Sequence, residues 1–197
     1  MKCPITLAVE GTTDAAVVRR LLDEAGLETG PEYVKNGKHA LDQSLAGYNN
    51  AARFSCWLVL RDLDRDAACA PDLRRQLLPT PAAHMRLHIP VHAVETWLLA
   101  DAESNSDFLS FRGSVPVDPE AIHHPKHALV ELARRSRRKA VREAMVPAPD
   151  TTAGVGPGYA ALLIEFVTTR WRPTVAATRS QSLARLREFL RTISHVR

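Results

Sequence analysis

The chain has 197 residues, of which 45% are apolar, and its 26 Lys and Arg against 22 Asp and Glu give a formal net charge of +4. This length allows one well-buried core, or one core with a small helical appendage, and such a core needs no disulfide staples. No segment approaches the roughly 18 consecutive apolar residues of a membrane span, and the first residues do not resemble a signal peptide, so we expect a cytoplasmic protein with no membrane contact.

The first elements that the sequence predicts are a strand, a turn and a helix. Residues 5–9 form a short apolar run of strand-forming side chains, and the turn-like residues 10–14 end it. Apolar residues then recur at helical spacing up to Gly26, and Thr13 or Asp14 can cap the start of this helix. Residues 33 and 34 predict a weak second strand.

A second helix is predicted over residues 41–54, and its inward positions are predicted to be Leu45, Ala46 and Ala52. Residues 56–60 form a continuous apolar run, as expected for a central parallel strand buried on both faces. That run ends abruptly in the acidic residues Asp62 and Asp64.

The pattern continues with a helix over residues 71–78, a fourth strand over 85–91 and a helix over 94–101. Strands that alternate with helices at this spacing predict an α/β fold, with a parallel sheet of about four strands flanked by helices. We therefore place an α/β core at residues 1–106.

The second part of the chain, residues 107–197, is predicted to be a mostly helical extension packed on the core. Residues 107–119 are typical of a loop, and helices are predicted over 127–143, 159–170 and 182–193.

Acidic residues follow two of the predicted strands at the point where each strand ends. Glu10 follows the first strand, and Asp62 and Asp64 follow the third. In a flavodoxin-like strand order these strands are neighbours, so their carboxylates would converge at the carboxyl edge of the sheet. Mutual repulsion among three carboxylates is relieved by a cation, and hard oxygen ligands favour Mg²⁺ or Mn²⁺. This arrangement suits phosphodiester cleavage.

Each acid also has a purely structural interpretation. Glu10 can cap the helix that begins near Thr13, and the pair Asp62 and Asp64 can lie on a solvated loop. Glu95, which follows the fourth strand, is either a ligand of a second ion or a first-turn acid stabilised by its helix dipole. Both interpretations stay open from the sequence.

Other possible metal sites are less well supported. Three distant cysteines, Cys3, Cys56 and Cys69, predict neither a disulfide framework nor a zinc site. The histidine-rich stretch at residues 123–127 is interrupted by Pro125, and we do not interpret it as a metal site.

Two segments carry a family resemblance. Residues 9–14 (VEGTTD) and 58–64 (LVLRDLD) resemble the two motifs of the Toprim domain, found in topoisomerases, primases, small RNA-maturing nucleases and the overcoming-lysogenization-defect nucleases. More closely, the chain resembles a family of short bacterial Toprim-like proteins of unknown function. The segments of that closer likeness are Gly37-Lys38 with Leu41 and Tyr48-Asn49, residues 94–101, His124-Pro125-Lys126, and residues 156–159.

The resemblance implies a Toprim or Rossmann-like core with Glu10, Asp62 and Asp64 as catalytic residues. In the Toprim interpretation Glu10 is a ligand or proton-transfer group, and the two aspartates hold Mg²⁺ or Mn²⁺. Asp14 and Asp66 would assist, at a second ion. The resemblance also implies that Lys38 and Lys126 contact a substrate phosphate.

Positive charge is concentrated in the second half, where residues 101–197 carry 15 Lys and Arg against 10 Asp and Glu. Six cations lie within residues 134–142, among them Arg134 and Arg138. We expect these two residues to contact nucleic acid, although cations that encircle a helix are equally typical of a solvated surface.

These observations lead to a principal hypothesis and one alternative. The first is an Mg²⁺-dependent nuclease that hydrolyses DNA or RNA, in phage defence or nucleic-acid repair. The alternative, implied by the resemblance, is a non-catalytic or conditionally active partner of an ATPase in a defence system. A phosphotransfer domain fits less well, because Arg65-Asp66-Ala67-Ala68 follow the aspartate pair where a phosphatase has a small residue and a Thr.

Overall fold

The structure, a computed structural model, describes residues 3–111, 115 and 118–195. By its internal contacts the chain divides into two compact units. The first comprises residues 1–91 together with 184–197, and the second comprises residues 92–183. The predicted domain boundary after residue 106 stays a prediction.

The first unit is an α/β fold, as predicted. Its sheet has four parallel strands in the order β2-β1-β3-β4 among the described residues. Its elements in chain order are β1 (Ile5–Val9), α1 (Thr12–Glu24), β2 (Thr29–Val34), α2 (Lys38–Ala51), β3 (Cys56–Leu60), α3 (Ala70–Leu77) and β4 (Met85–His88). The helices flank this Rossmann-like sheet.

The strands β1 and β3 are neighbours, in register from Ile5 with Cys56 to Val9 with Leu60. Both strands end at the same edge, so Glu10 and the residues after Leu60 are brought side by side. This adjacency was expected from a flavodoxin-like strand order, and it is confirmed. It follows from the connections, because parallel neighbours require crossover helices and α1 and α2 supply them.

A hydrophobic cluster covers one face of the sheet. Alternate strand residues, including Ala8 and Val59, pack there against Leu41 and Leu45 of α2 and Leu73 of α3. The strand that the sequence predicted least clearly, β2, is an edge strand whose six residues are exposed or half-buried, which explains its weak apolar signal. Of the three inward positions predicted for the second helix, Leu45 in α2 and Ala52 directly after it are buried, whereas Ala46 is exposed.

The second unit is helical. Its elements are α4 (Val94–Ala100), α5 (Ala102–Leu109), a short 3-10 turn (Pro119–Ala121), α6 (Pro125–Arg134), α7 (Lys139–Met145), α8 (Tyr159–Thr169), α9 (Pro173–Ala176) and the start of α10 (Gln181–His195), whose later residues belong to the first unit. The indoles of Trp97 and Trp171 are fully buried at its centre. Trp97 donates to Ser182 Oγ at 2.8 Å, and Trp171 donates to the Trp97 carbonyl at 3.3 Å.

Two sequence predictions in this unit are wrong. A single helix over residues 127–143 was expected, but the chain breaks between α6 and α7. The cause is Ser136, which pairs with Phe111 in a β-bridge and accepts a hydrogen bond from the Arg138 N–H at 3.1 Å. A loop from Asp107 onward was also expected, but α5 continues to Leu109. Residues 112–114, 116 and 117 of that expected loop lie outside the described residues.

No helix within the described ranges is both long and apolar enough to cross a bilayer.

Candidate active site at the carboxyl edge of the sheet

The centre of the site is the contact between the ends of β1 and β3. The Glu10 carboxylate accepts a hydrogen bond from the backbone N–H of Asp62 through Oε1, at 2.9 Å. Glu10 therefore reaches across to the neighbouring strand. The first residue outside α1 is Gly11, so the interpretation of Glu10 as the helix cap is wrong.

Asp14 has a local structural contact. It is buried, and its Oδ2 accepts a hydrogen bond from the Gly11 N–H at 2.7 Å. An acid in the first turn of a helix satisfies a backbone donor and interacts favourably with the helix dipole. Asp14 therefore has a structural contact at the start of α1, and its role as a metal ligand stays a prediction.

The loop after β3 carries three aspartates on a constrained backbone. Asp62 is buried, while Asp64 lies in the left-handed region with φ of +48°. Aspartate tolerates that region better than most residues with a side chain. The turn brings Asp64 and Asp66 within reach of the same ammonium group, that of Lys38.

Lys38 begins α2, and its position depends on the loop before it. Gly37 has φ of +131°, a conformation that favours glycine, and its N–H donates to the Glu10 carbonyl at 3.1 Å. Lys38 Nζ then lies 3.1 Å from Asp64 Oδ2 and 2.9 Å from Asp66 Oδ1. These hydrogen bonds raise the pKa of Lys38. Its ammonium is therefore a charged partner of the acidic loop.

Arg61 is the main residue at this site that we did not predict. Its side chain is only 3% exposed, and it donates to Asp42 through Nε at 3.2 Å and through a terminal nitrogen at 3.1 Å. It also pairs with Asp66 at 2.5 Å and lies 3.7 Å from Glu10 Oε1. Burial alone would lower the pKa of Arg61, but the hydrogen bonds to Asp42 and Asp66 outweigh burial and raise it.

Two sequence signals could have identified Arg61 and Asp42. A charged residue directly after a buried apolar strand, as Arg61 is, requires counter-charges nearby. In a parallel α/β sheet each crossover helix begins at the carboxyl edge of the strands, so Asp42, in the early part of the helix α2 that precedes β3, was a candidate counter-ion.

We refer to Glu10, Asp42, Asp62, Asp64 and Asp66 as the carboxylate cluster. Five acids against the two cations Arg61 and Lys38 leave a formal charge of −3. The donor atoms are carboxylate oxygens, which suit a hard divalent cation. Within residues 3–111, 115 and 118–195, however, no three acidic, His or Cys side chains are gathered closely enough to hold a metal ion. The donor chemistry fits a metal ion, but the arrangement is held by the chain's own cations.

The other predicted site residues lie in the second unit. Glu95 is buried in the first turn of α4, and its Oε1 accepts a hydrogen bond from the Tyr159 hydroxyl at 3.3 Å. Lys126 is exposed near the start of α6.

Arg134 pairs with Glu131 at 3.2 Å, and Arg138 donates to the Phe108 carbonyl at 3.1 Å. Arg138 therefore has a structural role, and it also lines an open cavity of about 520 Å³ with Asp107, Glu165 and Arg170.

Comparison with protein-family models, curated proteins and solved structures finds no match for this chain. The Toprim resemblance therefore stays a prediction from the two sequence motifs.

Proposed function

We propose that this chain is a cytoplasmic, metal-dependent phosphodiesterase that hydrolyses DNA or RNA at the carboxylate cluster. The observation that carries the proposal is the 2.9 Å contact between the Glu10 carboxylate and the backbone of Asp62 at the end of adjacent parallel strands. Ligand sites of open parallel sheets lie at this edge. An excess of carboxylates there favours a divalent cation as ligand.

In this proposal each residue of the site has a separate role in binding the metal ion or the substrate. Glu10, Asp62 and Asp64 supply oxygen ligands for Mg²⁺ or Mn²⁺. When bound, such an ion supplies Lewis acidity and an activated water for phosphodiester hydrolysis. Lys38, whose side chain is 28% exposed, can offer its ammonium to a substrate phosphate in place of Asp64.

Arg61 is a positioning residue in this proposal. At 3% exposure its guanidinium is inaccessible to a substrate strand, whereas its contacts fix Asp42 and Asp66 and place positive charge 3.7 Å from Glu10. It lowers the repulsion within the cluster and keeps the carboxylates oriented.

The decisive experiment is a cleavage assay with the full chain. Single-stranded DNA, duplex DNA and RNA are incubated with Mg²⁺ or Mn²⁺, with and without chelator. We expect metal-dependent cleavage that the double substitution Asp62→Asn plus Asp64→Asn abolishes while the far-UV circular dichroism is unchanged. The matched control is Asp23→Asn plus Glu28→Gln, which removes two exposed acids of the same unit. Cleavage that resists chelator, or survives in the Asp62/Asp64 variant, would rule the proposal out.

A second candidate is a non-catalytic or conditionally active partner of an ATPase. The observation that favours it is the ion pairing inside the cluster, since Arg61 and Lys38 already hold Asp42, Asp64 and Asp66. This candidate predicts that the isolated chain does not cleave any of the three substrates. Cleavage that appears only when an ATPase encoded beside this chain is added would support it, and full-rate cleavage by the isolated chain would exclude it.

A further inference from the structure

A second site in the first unit lies beside β4, on the opposite edge of the sheet from β2. β4 is the outer strand there. Beside it is a cavity of about 330 Å³ whose lining includes three arginines, Arg74 and Arg75 from α3 and Arg86 from β4. We call this cavity the arginine pocket. Its volume lies within the range of small-ligand sites, about 300–1,000 Å³.

The charged residues that line the arginine pocket are all positive. Its remaining lining is uncharged, and includes Leu78, Pro79 and Pro81. Asp72 pairs with Arg75 at i, i+3 on α3, outside the lining. Three arginines therefore line a space that has no acidic lining residue, although Arg75 is already paired with Asp72.

Arg86 is the most constrained of the three arginines. Its guanidinium lies over the ring of Phe189, 4.5 Å from the centroid, so one face is covered by an aromatic side chain. Its Nε is buried and has no hydrogen-bond partner among the described residues. A buried donor of this kind costs free energy when it is left unsatisfied.

The electrostatics of Arg86 agree with this geometry. Burial, and then the positive charge of Arg74, lower the pKa of Arg86. Two arginines that repel each other are stabilised by an anion bound between them.

We propose that the arginine pocket binds a phosphate group carried by a ligand with an apolar or flat part. The guanidinium fork matches phosphate oxygens in a bidentate manner, and the charges of Arg74 and Arg86 together favour phosphate over a single carboxylate. Leu78 and the two prolines give the pocket an apolar wall against which a base or sugar can pack. This site is separate from the carboxylate cluster, so it does not depend on the proposed nuclease activity.

Binding measurements can distinguish two kinds of phosphate ligand, a free phosphate ester and the phosphodiester backbone of a strand. Isothermal titration calorimetry is carried out on the full chain with inorganic phosphate, thymidine 5′-monophosphate and a twelve-nucleotide single-stranded DNA. Tighter binding of the monophosphate assigns the site to free phosphate esters, and tighter binding of the oligonucleotide assigns it to the phosphodiester backbone of a strand.

The variants test the pocket itself. We expect Arg74→Gln and Arg86→Gln each to weaken binding of the preferred probe by about tenfold or more, as for loss of a charge-assisted hydrogen bond. The control Arg53→Gln removes the same charge from an exposed position that does not line the pocket, and it should bind as the wild type does. Arg74 is exposed, so its variant stays informative if Arg86→Gln fails to fold.

Failure of this inference is separate from failure of the nuclease proposal. Asp62→Asn plus Asp64→Asn should retain phosphate binding at the arginine pocket. The inference is overturned if none of the three probes binds, or if Arg53→Gln weakens binding as much as Arg74→Gln and Arg86→Gln do.

Discussion

Glu10 accepts a hydrogen bond from the backbone N–H of Asp62 at 2.9 Å, which ties the end of β1 to the end of β3. The two residues are 52 positions apart in the chain. The Glu10 carboxylate thus has a structural role, because it accepts a hydrogen bond from the buried residue Asp62. In our proposal it is also a ligand of the metal ion.

Glu10→Ala should destabilise the fold. It leaves the Asp62 N–H without this acceptor, and Asp62 is only 4% exposed. We expect the free energy of unfolding to fall by about 1–3 kcal/mol, measured by urea denaturation. Glu10→Gln keeps an acceptor oxygen and should recover most of that loss, whereas any metal-dependent cleavage should stay low. Glu28→Ala, at an exposed acid, is the control, and a loss of equal size in that variant would contradict the prediction.

Arg61→Met should be strongly destabilising. It removes the shared partner of Asp42 and Asp66, so that Asp42 loses its ion pair with Arg61 while Asp66 is left paired with Lys38. We expect a loss on the order of 3 kcal/mol, at the lower end for a broken buried pair because both acids keep some solvent contact. A double-mutant cycle with Asp42→Asn measures the coupling, since the second substitution should restore part of the stability. Strictly additive effects would show that Arg61 and Asp42 do not interact.

The free energy of unfolding should fall at acidic pH as the Asp66 carboxylate becomes protonated. Hydrogen bonds from Lys38 and Arg61 hold the pKa of Asp66 below its ordinary value of 3.8. The unfolded chain therefore takes up this proton first as the pH falls. The contribution of Asp66 to stability is present above pH 3.8 and is lost as the pH falls through its lower folded value. Asp66→Asn should flatten the curve of unfolding free energy against pH in that window. Asp23→Asn serves as the control, and a flattening of the same size there would refute the assignment.

Lys38→Gln should raise the affinity of the carboxylate cluster for Mn²⁺. The substitution removes the ammonium that holds Asp64 and Asp66 and makes the local charge more negative by one. Titration of Mn²⁺ followed by electron paramagnetic resonance should show severalfold tighter binding than in the wild type. Arg53→Gln, with the same change in net charge at an exposed position, should have little effect. Unchanged affinity in Lys38→Gln would mean that Lys38 does not compete with a metal ion.

Gly156→Ala should destabilise the second unit. A Cβ at Gly156 would lie 2.6 Å from the Met145 carbonyl carbon and 2.8 Å from Val146 N, so the backbone of α7 would have to shift. We expect a cost of about 1–3 kcal/mol, as for overpacking, measured by thermal unfolding. The matched control is Gly154→Ala, where a Cβ would have nothing within 4 Å. Equal melting temperatures for the two variants would contradict this reading of the packing.

The α/β fold of the first unit could be predicted from the sequence because its information is local. The apolar run of β3 and the helical spacing before Gly26 each specify an element without reference to the rest of the chain. The weak signal of β2 has a physical reason too, since an edge strand buries little and needs few apolar residues. The break at Ser136 could not be predicted, because it depends on a bridge to Phe111, 25 positions earlier.

The amino-acid sequence by itself determined the sheet, its helices and the presence of Glu10, Asp62 and Asp64 at strand ends. Only the tertiary structure decided which charges meet there. Lys38 and Asp42 come from α2 and Arg61 follows β3, so their contacts depend on how α2 crosses over the sheet. Ion pairing acts over a few ångströms in space and has no period along the chain, so its partners emerge only when the fold brings them together.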